Sequence, residues 1–562
     1  MPAADVILEN GRVITLDRQS QIAEAVVIRG QKILSVGSRE QVIKEAGSNT
    51  RHIDLKGRTV VPGFFDGHPH MDREGLKALG GATLEGRRSI AEIVDAVADA
   101  VKMKRPGEWV VMMPLGDPPA EYMRDPSAIA ERRFPTRHDL DPVSPNNPVY
   151  IRSIWGWWGT PPFPSVANTY ALHQARITRD TPAPYRSTIE KDANGDPTGI
   201  FYELNRAPLL EYTLFGKLPR FSYSDRVDGI RSAAKTYSSL GTTTGFEGHG
   251  LTPSVIRAYR EVQESGDLTV RMHAPLSVPS ASKSDAEIIE LFYYWGAVAS
   301  GRGSGDEQLR ITGVNLDLGD PSLAMVLGSG YPYEQWAGFF YQGLSDERFI
   351  ELGVAAVRAG LRISTLFCYD LERALRLFEA IDRQQSIRDL RCVAVHLSQG
   401  TDQQLSRIRR LGMAATMAPV ILYEHAETFG IENLNERALP AREILDAGIP
   451  VTLSTDNLPR PSMLWQMWEI LARYNKSSRK NQGQSKLTRD EALRMAVQNG
   501  HYLTWEEGER GSVEAGKYAD LVVLDQDPLA CELDKLKDIK VILTIVNGRI
   551  VYEHTSPTLR ST

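Results

Sequence analysis

Residues 59–72 read TVVPGFFDGHPHMD, an apolar run that ends in an acidic residue, a glycine, and two histidines one residue apart. Short apolar runs bounded by glycine or proline are strands buried on both faces. Alternate residues on a strand project to the same side, so His68 and His70 are placed to reach one point beyond the strand end. The chain holds 11 histidines in 562 residues, which makes this pair a concentration worth tracing outward.

Seven further runs share the texture of the first: GTTTGFEG, LTVRMHAPL, ITGVNLDLG, LRISTLFCYD, RCVAVHLSQ, MAATMAPV and IPVTLSTDN. Helical stretches such as PSVIRAYREVQES and DLERALRLFEAIDR, with apolar residues three and four apart, separate most of them. Eight strand–helix units close into a (β/α)8 barrel of the TIM type, an α/β fold. A segment of about residues 71–237, rich in Pro, Trp and Arg, separates the first two strands. It is too long for a loop and is expected to be an insertion with its own structure. Both chain ends differ from this middle. DVILENGRVITLD and AEAVVIRGQKILSVG near the start, and GKYADLVVLDQD and VILTIVNGRIVYE near the end, alternate apolar and polar residues around Asn-Gly turns. Neither end alone has much apolar surface to bury. The expected domains are therefore a small discontinuous β-sandwich from residues 1–58 and 508–555, and a barrel over 59–507.

In such a barrel the chemistry gathers at the carboxy-terminal strand ends. Asp456 ends the eighth strand in LSTDN, which neighbours the first strand once the barrel closes, and His396 ends the sixth in VAVHLSQ. Imidazoles and a carboxylate on neighbouring strand ends suit a divalent ion such as zinc. A lone buried histidine is more often a hydrogen-bonded core residue, but a pair on a barrel rim with an acid reverses that balance. The second strand adds Glu247 and His249 and the third His273, each able to complete a ligand shell, to carry protons, or to serve as a structural hydrogen-bonding group. Glu247 is the most pointed of the three, because a carboxylate in such surroundings is costly to leave unpaired.

The balance of 65 basic and 71 acidic residues, a formal charge of -6, contains no basic block suited to a phosphate backbone, which argues against nucleic acid as a partner. No apolar run reaches the roughly 18 residues of a membrane helix, and the amino terminus reads as a strand rather than a signal peptide. Three scattered cysteines, Cys368, Cys392 and Cys531, form no disulfide framework and suit a reducing cytoplasm.

These residues also carry a resemblance. VVPGFFDGHPHMD resembles the PGFIDxHxH signature of the amidohydrolase superfamily, and GKYADLVVLDQDPL resembles its GKxADLVVLD segment. SVANTYALHQARITRDTPAP followed by DANGDPTGIFYE is similar to the insertion of the branch that includes N-substituted formamide deformylases. The resemblance implies a barrel beside a β-sandwich built from both ends, with metal held by a first-strand His pair and an eighth-strand Asp. It implies that a metal-activated water attacks a carbonyl or amidine carbon while the Asp takes its proton and passes it to the leaving group. Asp456 would then be ligand and general base.

The chain also departs from that family. Binuclear members carry a carboxylated lysine on the fourth strand in a pattern like VKxFxDG, where this chain has GVNLDLGD with Asn315, and an amide forms no carbamate. The fifth-strand histidine of HAxGDxA is replaced by LFCYDLERA, which puts Cys368 near its place. One divalent ion per chain is therefore expected, zinc first and Mn2+ or Fe2+ as alternatives, with His68, His70, Asp456 and His396 as ligands. Asp456, His396 and Glu247 are the candidate catalytic groups. Trp155, Trp157 and Trp158 in SIWGWWGTPPFPS, with Tyr331 and Tyr333 in GYPYEQW, are candidates for an apolar pocket wall, against the alternative of core packing. The expected activity is hydrolysis of a C–N bond, an amide or cyclic amide, in a small, largely apolar or aromatic substrate. A single-metal decarboxylase or lyase on the same fold, and a binding protein that has lost part of its metal site, are the other readings. A homodimer is the expected assembly.

Overall fold

The computed structural model describes residues 3–77, 79–117, 121–153, 161–205, 207–329, 337–368, 370–424, 439–456, 461–475, 480–481 and 485–554. Eight strands stand side by side in chain order, each parallel to the next: Phe64–Asp66, Thr242–Phe246, Arg271–Ser277, Leu309–Asn315, Ile363–Leu366, Val393–Val395, Ala414–Met417 and Val451–Leu453. The eighth returns to the first. Gly67 N–H donates to the Leu453 carbonyl, and Asp456 N–H to the His68 carbonyl, both at 2.9 Å. The result is a nearly closed parallel barrel, and each of the eight predicted strand runs contributes one of its staves.

Helices form where apolar residues recur at helical spacing. In Leu371–Gln384 the buried residues are Ala374, Leu375, Leu377, Phe378 and Ile381, one stripe facing the sheet. Asp370 caps its start by accepting from Arg373 N–H at 2.9 Å.

The opening stretch divides between two sheets. Thr59–Pro62 does not belong to the barrel. It pairs in parallel with Arg12–Ile14 and antiparallel with Leu521–Leu524, inside a six-stranded sheet that also holds Ile22–Ala23, Val541–Val546 and Arg549–Glu553. The chain then passes into the barrel at Gly63, where any Cβ would lie 2.2 Å from Thr243 Oγ1. A four-stranded sheet of Lys32–Gly37, Ala25–Arg29, Val6–Glu9 and Arg51–Asp54 lies beside the six-stranded one. Leu8, Ile28, Val60, Leu521 and Leu543 belong to one apolar cluster that draws on both sheets.

Between the first and second barrel strands lies a five-stranded sheet ordered Ser187–Lys191, Pro197–Glu203, Phe163–Ala167, Val149–Ile151 and Val110–Met112. The helix Ile90–Lys102 packs on it through Ile90, Ile93 and Val97, in a cluster separate from the barrel core. The helix Tyr223–Ser239 then leads into the second barrel strand and packs against Met71–Lys77.

The amino-terminal ends of the strands are sealed by charge. Arg271, which opens the third strand, pairs with Asp520 at 2.8 Å, and Arg510 pairs with the same carboxylate at 2.6 Å. The buried Glu506 receives His273 at 3.4 Å, Arg302 at 3.3 Å and Arg510 at 3.5 Å. Arg362, just before the fifth strand, bonds the Leu503 carbonyl and lies over the rings of Phe246 and Trp505.

Candidate active site

The opposite ends of the strands converge on one cluster. His68 and His70 follow the first strand, Glu247 and His249 the second, His396 the sixth and Asp456 the eighth, and all except the slightly exposed His249 are buried. Three of these residues hold left-handed backbone, His70 at φ 46°, His396 at 59° and Asp456 at 51°. Each such non-glycine residue costs on the order of 1 kcal/mol, a strain that surroundings tolerate mainly at functional sites.

Asp456 is the hub. Its Oδ1 lies 3.6 Å from His68 Nε2 and 3.3 Å from His70 Nε2, and its Oδ2 lies 3.4 Å from His396 Nε2. Burial favours its neutral form, but the His396 and His70 rings outweigh burial and hold the carboxyl well below the usual carboxylate range. Glu247 stands behind His70 and accepts from its Nδ1 at 2.9 Å, leaving Nε2 turned toward Asp456. Burial and the charge of Arg73 pull the His70 pKa down, and Glu247 with Asp456 more than restores it, so the imidazole titrates above its ordinary value. His68 moves the other way. Burial, with the neighbouring His70 and His396 rings, pushes it well below the ordinary imidazole value.

The brace around these groups comes from residues that the sequence reading passed over. Asp66, the acid of FFDG, accepts from His68 N–H at 3.0 Å, Thr455 N–H at 3.0 Å and the Thr455 hydroxyl at 2.5 Å, tying the first strand end to the eighth. Gly248 N–H donates to His68 Nδ1 at 2.7 Å, and a Cβ on Gly248 would meet that nitrogen at 2.4 Å. The only available signals were an acid two residues ahead of the His pair and a glycine beside Glu247. His249 lies flat on Phe339, with ring centroids 4.4 Å apart and an interplanar angle of 6°, and the Arg73 guanidinium lies over the same ring at 5.2 Å.

Two overlapping groups of donors could hold a cation: His68, His396 and Asp456, and His68, His70 and His249, with the ligand atoms of each group within 4.8 Å of one another. The donors fit a divalent ion. Both Asp456 oxygens are buried with no hydrogen-bond donor in place, a state that costs a carboxylate several kcal/mol unless a cation arrives.

Other expected positions fall elsewhere. His273 lies on the third strand but engages Glu506 at the sealed end of the barrel, away from the cluster. Cys368 packs beside Phe65, Phe246 and Val395 and joins no group of metal donors among the described residues. Asn315 donates to the Ser364 carbonyl at 3.2 Å and to Asp317 Oδ2 at 3.3 Å, and its own oxygen accepts from Gln342 at 2.9 Å. It is a satisfied amide where the bridging lysine would stand. Trp155, Trp157, Trp158, Tyr331 and Tyr333 lie outside the described residues.

Residues 51–552 match the amidohydrolase family. The chain is 28% identical over 573 residues to the N-substituted formamide deformylase of Arthrobacter pascens, covering 98% of this chain and 99% of that protein. Among solved structures, a metal-dependent hydrolase from Pyrococcus horikoshii aligns with a TM-score of 0.67 at 20% identity, over 94% of this chain and 99% of its own. An adenosine deaminase from Xanthomonas campestris with bound zinc aligns at 0.55 and 14% identity, over 98% and 93%. The chain belongs to the amidohydrolase family and is a metal-dependent hydrolase acting on carbon–nitrogen bonds other than peptide bonds.

Proposed function

We propose that this hydrolase cleaves an amide or cyclic amide in a small, largely apolar or aromatic substrate, using one divalent ion, zinc first, held by His68, His70, His396 and Asp456. The observation that carries this reading is the Asp456 carboxylate, buried among three imidazoles with neither oxygen hydrogen-bonded. An ion bound there would polarise the carbonyl and lower the pKa of water from about 15.7 toward roughly 7. Asp456, kept ionised by its imidazoles, takes the proton of the attacking water and delivers it to the departing nitrogen. Glu247 fixes the His70 ring by accepting from Nδ1, the part that a carboxylate behind a ligating histidine plays. His396 is the second group able to move protons, and His249 stacked on Phe339 gives the site one aromatic side. The similarity to a deformylase that acts on N-substituted formamides supports an amide substrate, and the tryptophan-rich stretch at 155–158 is proposed as a further wall.

The same reading divides the chain into a barrel entered after Gly63 rather than at residue 59 and running to 507, with an insertion at about 71–237, beside a β-sandwich that takes in Thr59–Pro62 together with 1–58 and 508–555; the shared apolar cluster of the two terminal sheets supports that sandwich. A cytoplasmic homodimer completes the proposal. Among the described residues no helix is long and apolar enough to cross a membrane.

Elemental analysis of protein purified without added metal tests the central claim. About one tightly bound divalent ion per chain is expected, removable by chelation with loss of turnover. Two tightly bound ions would overturn the single-metal reading. Product analysis tests the bond cleaved: an open-chain amide should give an amine and an acid and a cyclic amide one ring-opened amino acid, whereas release of carbon dioxide would overturn this reading.

A further inference from the structure

The helix Asp285–Ala299, DAEIIELFYYWGAVA, precedes the fourth barrel strand and turns Ile288, Phe292, Gly296 and Ala299 inward. Its outer side is Ile289, Glu290, Tyr293, Tyr294, Ala297 and Val298. Surface helices normally carry polar residues there. Instead Tyr293 is 75% exposed, Val298 64% and Tyr294 57%, and four of the eleven large hydrophobic residues exposed among the described residues fall on this helix. Patches of this kind mark interaction surfaces.

Next to it runs the helix Asp346–Arg358, and a groove of about 670 Å³ lies between them. Ile350, Val354 and Ala355 line the groove, as do Glu347, Glu351 and Arg358. The charges on this helix are treated in two ways. Arg348 pairs with Asp285 at 2.6 Å and Asp346 with Arg373 at 2.6 Å. Glu347, Glu351 and Arg358 form no ion pair among the described residues. They share one stripe with the apolar residues, acid at the start and base at the end, three turns apart.

That order is self-complementary. A second copy laid antiparallel on the first, about a two-fold axis near the middle of Asp346–Arg358, sets Glu347 against Arg358 of the second copy at both ends. Between those pairs, the half-buried Ile350 and Ala355 meet their equivalents over the buried Val354, with Tyr293 and Val298 closing the sides. We infer that this face is the isologous interface of a homodimer. The inference names the face of the dimer proposed above and stands apart from the chemistry of the metal site.

Sedimentation velocity on the full-length, metal-replete protein tests it. The parent is expected to sediment as a dimer and Tyr293→Glu as a monomer with unchanged melting temperature and metal content; Val298→Glu serves if the first variant proves unstable. Arg358→Glu and Glu347→Arg should each weaken dimerisation by about tenfold or more by setting like charges together, and the double exchange should restore it. A monomeric parent overturns the inference, including one that binds phosphatidylcholine vesicles through this face, which would assign the patch to a lipid surface. So does a dimer that Tyr293→Glu leaves intact, or a double exchange weaker than either single variant.

Discussion

The two ends of the barrel hold buried clusters of similar composition and opposite character. At the amino-terminal ends, Glu506 and Asp520 are met by Arg271, Arg302 and Arg510, cations that carry their own charge at any working pH. At the carboxy-terminal ends, Asp456 and Glu247 are met by imidazoles, and Asp456 keeps both oxygens without a hydrogen bond. A carboxylate surrounded by guanidinium groups is already neutralised and has nothing to offer an ion. One surrounded by imidazoles, which can give up their protons to a competing cation, offers the ligand shell proposed above. Burial and acid count alone do not separate them: Glu307, Glu506 and Glu509 also lie close enough to share an ion, but Arg510 and Arg302 stand among them. The kind of partner decides.

The sharpest way to break this comparison is Asp456→Asn. The amide keeps the shape and one oxygen donor but takes no proton at neutral pH, so kcat should fall by about 10² to 10⁴ while much of the metal stays. Steady-state kinetics beside metal analysis checks it, and an Asn variant turning over near the parent rate would move the general base to another residue. The mirror experiment at the far end is Glu506→Gln, which leaves Arg510, Arg302 and His273 facing a neutral amide. It should cost about 3 to 5 kcal/mol of stability, read by denaturant unfolding, with metal content and kcat intact. Loss of metal in that variant would mean that the two ends are not independent. The smallest effect belongs to Gly248→Ala. The new Cβ falls on His68 Nδ1, so the ring must shift, and metal affinity measured by chelator competition should drop by about 10- to 100-fold with the fold preserved.

The sequence made the barrel legible because its strands are buried on both faces and read as apolar runs, which is why all eight positions were found. It hid the break inside TVVPGFF. A run that leaves one sheet at Pro62 and enters another after Gly63 looks the same as one long strand, since both halves are apolar. His68, His70, His396 and Asp456 could be placed on strand ends by counting, and the structure brings them together. The tie from Asp66 to Thr455 could not be found that way, because it depends on how strands far apart in the chain meet. His273 shows the limit of the same counting. It lies on a barrel strand like the others, but position along the strand sends it to the arginine-rich end, and composition carries no record of that depth.

The seam where the barrel closes has a consequence for biosynthesis. His68 and His70 are made early, but Asp456, and Thr455 that ties the first strand end to the eighth through Asp66, arrive only with the eighth strand, Thr455 389 residues after Asp66. A nascent chain therefore carries its paired imidazoles through most of translation without the acid that faces them in the finished barrel. In the metal site proposed above, selection of the ion would then wait until the last stave has left the ribosome and bonded to the first, so that the finished barrel, rather than the motif, chooses it.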